Sequence, residues 1–146
     1  MRGLAIIAAA AALAGCAGGA DERLSREEFA AQATAICARA EERLSALRAP
    51  ENVAEVEGYA REAQSITEEG VDDLRGLVPP EELEEPFTRY LRQADEVVAL
   101  LGELEDAAAA GDEADARRLS ARIAEAAEAK GAARAAGIPG CEQEQT

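Results

Sequence analysis

The sequence predicts an all-α fold, an antiparallel up-down-up-down four-helix bundle. Three observations carry that expectation. Ala, Glu, Leu and Arg, all good helix formers, dominate a chain with only 3% aromatic residues and no Trp. Four segments repeat apolar residues three and four positions apart, the helical period. Gly and Pro punctuate them at short intervals, and short connections between long helices make sequence neighbours antiparallel. The chain of 146 residues fits one domain. Its core must come from Leu, Ile, Val and Ala around Phe29, Tyr59, Phe87 and Tyr90.

The first segment is not part of that bundle. Met1-Arg2 supplies a positive start, and Leu4 to Leu13 is an unbroken apolar run. A membrane-spanning helix needs about 20 such residues, so this run reads as the core of a signal peptide. It closes on Leu13-Ala14-Gly15-Cys16. These four residues resemble the lipobox of bacterial lipoproteins. The resemblance implies a signal peptide over residues 1–15, cleavage after Gly15, and a fatty-acylated Cys16. The lipid is attached through sulfur, which is why the chemistry needs a thiol there. Two chains give firm anchoring where one is marginal. The alternative is an ordinary secretory signal cut near Ala17. Residues 16–24, with Ala17-Gly18-Gly19-Ala20, suit a flexible tether.

Residues 25–141 are the expected bundle. Ser25 and Glu28 fit a capping box, and Leu24 with Phe29 fits the hydrophobic staple around it. The first stripe runs Phe29, Ala33, Ile36, Cys37, Ala40, Leu44, Leu47, and Pro50 stops it. Asn52 with Glu55 opens the second helix. Its stripe is Val53, Val56, Ala60, Ala63, Ile66, Gly70, Leu74, Leu77, ending before Pro79-Pro80. Gly70 lies on that stripe, where a small residue lets a neighbouring helix come close.

Pro80 to Leu83 makes a first turn, with Pro86 as a break point. Phe87, Tyr90, Ala94, Val97, Leu101, Leu104 and Ala108 then form a heptad-like seam of the kind helical bundles use. Gly111 ends this third helix. Asp112 caps the fourth, whose stripe is thin: Ala116, Leu119, Ile123, Ala127, Ala133. Lys130-Gly131 marks fraying or a break, and Gly137-Ile138 reads as a C-terminal cap with its apolar contact. Residues 142–146 are expected to be a disordered tail.

With Cys16 lipidated, Cys37 and Cys141 remain, an even number outside the cytoplasm, which points to a disulfide. The pairing carries a geometric strain. Cys37 lies about 18 Å along the first helix. To reach it, residues 137–140 must double back, or the fourth helix must end early near Gly131. The alternative is two free thiols, with Cys37 packed as a small apolar residue.

The net charge is −15, and loss of Arg2 with the leader leaves 14 bases against 30 acids. Such a surface repels phosphate backbones, which argues against a nucleic-acid partner, and it repels anionic lipid headgroups. The acid concentrates in the middle. Residues 49–78 hold eight acids and two bases, and residues 79–111 nine and two, whereas the flanking segments are nearly neutral. Glu55, Glu62 and Glu69 share one face. Asp72-Asp73 and Glu81 to Glu85 flank the middle turn, where a hard cation such as Ca2+ could bind, although no spacing matches a calcium loop. The simpler reading is a solvated acidic face. Arg117, Arg118 and Arg122 are expected to pair with nearby acids.

The chain has no His. That removes the commonest general base, the Ser-His and Cys-His pairs and most zinc sites. No catalytic residue, cofactor or metal site is expected, and the chain is not expected to be an enzyme. Taken together it resembles small bacterial lipoproteins with a helical bundle behind the lipobox. The expected role is a binding or scaffold module, anchored by lipid at the extracytoplasmic face of a cell membrane, with a protein or cell-envelope partner. The alternative is a weak divalent-cation binder through the acidic hairpin.

Overall fold

The computed structural model describes residues 23–127 and 131–142, and among them every regular element is helical. Five helices follow one another: α1 (Arg26–Ser45), α2 (Val53–Arg75), α3 (Glu84–Ala109), α4 (Glu113–Ala127) and the short α5 (Ala132–Ala135). Single 3-10 turns, Glu81–Leu83 and Pro139–Cys141, precede α3 and end the described chain. The four long helices pack as an all-α bundle. The leader, Cys16 and the segment up to Glu22 lie outside the described residues, as do 143–146.

Local chemistry sets the helix ends. The Ser25 hydroxyl accepts the Glu28 N–H at 3.3 Å, and the Glu28 carboxylate accepts the Ser25 N–H at 3.0 Å, so the capping box closes both ways. Asn52 accepts the Glu55 N–H at 3.2 Å, and Asp112 accepts the Asp115 N–H at 3.0 Å. Pro86 does not break α3. It is the third residue of the helix, where an N–H has no intrahelical acceptor to lose. At the end of α3, Asp112 N–H donates to Ala107 O and Gly111 N–H to Ala108 O, which satisfies two terminal carbonyls.

The core divides in two along the α2–α3 hairpin. One cluster gathers Phe29, Ala33 and Ile36 of α1, Leu74 of α2, Leu83, Phe87 of α3, Ala133, Ala136 and Ile138. The other gathers Ala60 of α2, Leu100, Leu104 and Ala107 of α3, and Ala116 and Leu119 of α4. Among the described residues α4 contributes nothing to the first cluster and α1 nothing to the second. The fourth position of the bundle is therefore shared. The α4 helix fills it at the α3–α4 end, and α5 with Ile138 fills it at the α2–α3 end.

That division separates the two parts of the expected fourth helix. The thin stripe from Ala116 to Ala133 is interrupted at Gly131, inside the stretch where fraying or a break is expected. The α4 helix is described as far as Ala127, which is exposed, and Ala133 is buried in a separate helix, α5, that begins after Gly131. Gly131, at φ 91°, opens α5 in a left-handed conformation open to glycine. Gly137, at φ 78°, closes it: Ile138 N–H donates to Ala133 O and Gly137 N–H to Arg134 O. Ile138 is fully buried, the apolar contact that such a cap requires.

The ends of the bundle also differ from expectation. Arg23 and Leu24, expected in the tether, are fixed to it. Leu24 N–H donates to Val78 O at 3.0 Å, and the Arg23 guanidinium donates to Pro79 O at 3.1 Å. Glu142, expected in a loose tail, turns back. Its carboxylate accepts the Gly131 N–H at 3.0 Å and pairs with Arg134 at 2.6 Å.

Candidate functional site

Cys37 and Cys141 are joined by a disulfide, with Cα atoms 5.3 Å apart. The fold resolves the geometric strain by both available routes. The fourth helix ends early, and the segment from Gly137 to Cys141 then folds back along α1. Gly140 is what lets it approach. A Cβ there would lie 2.5 Å from Thr34 Cγ2 of α1, closer than any packed side chain allows. The Cys141 sulfur also sits 3.5 Å from the carbonyl of Ala33.

Beside the disulfide lies an apolar groove with a volume of about 120 Å3. Its walls are Ile36, Cys37 and Ala40 of α1, Gly70, Val71 and Leu74 of α2, and Tyr90 and Ala94 of α3. Gly140 to Glu142 close one side, with Glu41 and Thr67 also lining it. Small side chains make the groove: Ala40, Gly70 and Ala94 each lie on a predicted stripe, but none fills the space between helices. Gly70 does face α1, its missing Cβ 3.4 Å from Ala40 Cβ, which is ordinary contact distance. Burial pushes the Tyr90 phenol above its usual pKa. A cavity of roughly 150 Å3 holds a benzene-sized group, so this groove suits one apolar side chain or ring. The sequence showed its small residues. It did not show that three helices would leave them facing a common space, and Val71 was missed.

The acidic hairpin is largely tied up with arginines. Arg39 pairs with Asp73 at 3.2 Å, Arg43 with Glu69 at 2.6 Å and Arg48 with Glu55 at 3.2 Å, so α1 presents a row of cations to the acids of α2. Arg23 pairs with Glu84 and Arg26 with Glu82, each at 3.0 Å, across the α2–α3 turn. Arg75 bridges Asp72 and Asp95, and Arg61 bridges Glu57 and Glu105. The Arg43 guanidinium holds the Glu69 carboxyl below the usual carboxylate range. The Glu51 N–H does the same for Glu55, and the Glu82 backbone N–H with Arg26 for Glu82. Glu62 shares the face of Glu55 and Glu69 but forms no ion pair among the described residues. Among those residues no three acid or sulfur ligands converge on a point that could hold a metal ion. The expected basic cluster is likewise paired: Arg117 with Glu113, Arg118 with Asp115 and Arg122 with Glu103.

No described helix is long and apolar enough to cross a membrane. No family model matches the chain, and neither curated proteins nor solved structures show a detectable likeness to it.

Proposed function

We propose that the protein is a lipid-anchored module at the extracytoplasmic face of a cell membrane, which binds a protein or cell-envelope partner. One observation carries the proposal: a ten-residue apolar run, with a positive start, closes on Leu13-Ala14-Gly15-Cys16. Two features of the bundle support it. The other two cysteines form a disulfide, and such bonds persist in oxidising compartments. The groove beside that disulfide offers a partner an apolar recess on an otherwise acidic surface.

The test is the fate of Cys16. Expressed with its leader in a bacterial host, the chain is expected to lose residues 1–15, to gain the mass of acyl chains on its first residue, and to partition into detergent. Cys16→Ser is expected to abolish acylation and membrane partition while leaving the helical content intact. A Cys16→Ser protein that still partitions with membranes, or a native protein that keeps its leader, overturns the proposal.

A further inference from the structure

The bonds made by Arg23 and Leu24 determine where the anchored chain joins the bundle. Leu24 N–H is held by Val78 O, and Arg23 by Pro79 O and Glu84. Both residues therefore sit at the α2–α3 pole. The α1–α2 connection and the α3–α4 turn form the opposite pole. The α3 helix alone, with 26 residues, separates the two by about 39 Å. Seven peptide steps from Cys16 to Arg23 span at most about 25 Å, less than the length of the bundle.

The α2–α3 pole is also acidic. Eight carboxylates, Glu27, Glu28, Asp72, Asp73, Glu81, Glu82, Glu84 and Glu85, lie on the helix ends there with four arginines, Arg23, Arg26, Arg75 and Arg89. Each of those arginines is paired, with Glu84, Glu82, Asp72 and Glu85 respectively. The acids outnumber the bases at this pole, and the net negative charge repels anionic headgroups.

We infer that the bundle stands on the bilayer with its α2–α3 pole inward. That pole is tethered close to anionic headgroups but repelled by them, and the α3–α4 turn points away. The inference rests on anchoring through Cys16. It assigns partner binding to the outer pole and the sides, because the inner pole faces lipid across a gap too short for a second protein domain.

The chain contains no Trp, so one introduced Trp reports its own position. Glu81→Trp marks the inner pole and Ala110→Trp the outer, both at exposed positions. Glu85→Trp, whose side chain is 88% exposed, repeats the inner measurement in case the first variant folds poorly. The acylated protein, purified from cells, is reconstituted into vesicles carrying a dansyl-labelled lipid, and flotation establishes that it is moored. Energy transfer to dansyl is expected to be several-fold stronger from positions 81 and 85 than from 110. It is expected to weaken at the inner positions when anionic lipid is added at low salt, and to recover at high salt. Flotation with equal transfer from both poles, or stronger transfer from 110, overturns the orientation alone. Failure to float overturns the anchoring and the orientation with it.

Discussion

The ring of Phe29 meets the ring of Phe87 edge to face, with centroids 4.9 Å apart and planes at 88°. The contact joins α1 to α3 through the middle of the first core cluster. These are the only two Phe residues in the chain, and both are buried. In a core otherwise built of aliphatic residues and Ala, this pair supplies a large share of the buried area at the α2–α3 pole.

Replacing either ring should therefore be severe. Phe29→Ala or Phe87→Ala is expected to cost about 3–5 kcal/mol, the range for a buried aromatic truncated in a core that cannot collapse. In a double-mutant cycle the two losses are expected to fall short of additivity, because the rings share one contact. Urea unfolding checks both. Additive losses would mean that the rings act separately.

The disulfide closes a loop between residues 104 positions apart. Opening it by reduction, or by Cys37→Ala with Cys141→Ala, is expected to cost about 2–4 kcal/mol, which lowers the thermal midpoint on the order of 10 °C. The loss should be local in its consequences. Ala136 and Ile138, both fully buried, depend on the strap that the bond holds against α1. Amide exchange is expected to accelerate in α1 and α5 and to change little in α4, which belongs to the other cluster. Equal acceleration everywhere would refute the division of the core.

Gly140→Ala places a methyl group against Thr34. Overpacking of this kind costs about 1–3 kcal/mol. Thr34→Ala removes the Cγ2 and Oγ1 atoms that the methyl would strike, so the double variant is expected to recover part of the loss. Thermal melts of the two single variants and the double variant decide it. A double variant no more stable than Gly140→Ala would place the strain elsewhere.

Stability should fall in acid. Hydrogen bonds from the Ser25 hydroxyl and N–H hold the Glu28 carboxyl below its ordinary pKa, and partners described above do so for Glu55, Glu69 and Glu82. A carboxyl with a depressed pKa in the folded state stabilises the fold above its unfolded value of about 4.3. That stabilisation fades as pH drops through the folded value. The urea midpoint is expected to be flat between pH 7 and 5 and to decline below about pH 4.3. Ser25→Ala is expected to cost about 0.5–2 kcal/mol at neutral pH, and to flatten part of the acid decline. An unchanged acid limb would show that Glu28 does not contribute to it.

The helices were legible because their signals are local. Ser25 with Glu28, Asn52 with Glu55, and Asp112 each cap a helix through a residue three positions away, and that spacing is visible in the chain. The same holds for Gly111 and Gly137, whose caps close within five residues. The pairing of Cys37 with Cys141 followed from counting.

What tertiary structure decided depends on which face meets which. Leu100 and Ala107 lie off the predicted α3 seam, yet both are buried, because α3 serves α4 with one face while Phe87 serves α1 with another. A single stripe cannot report two partners. Ala133 belongs to a different helix from Ala116 and Leu119, since a glycine at φ 91° two residues before it turns the chain. The acidic hairpin was legible as charge, but its neutralisation by Arg39 and Arg43 was not. Ion pairs across helices depend on register, and register is set by packing. The sequence by itself determined the helices, their caps and the cystine, because each is written in spacing along the chain. The split core, the groove and the pole at which the chain enters came only from the fold, because each depends on which distant surfaces lie together.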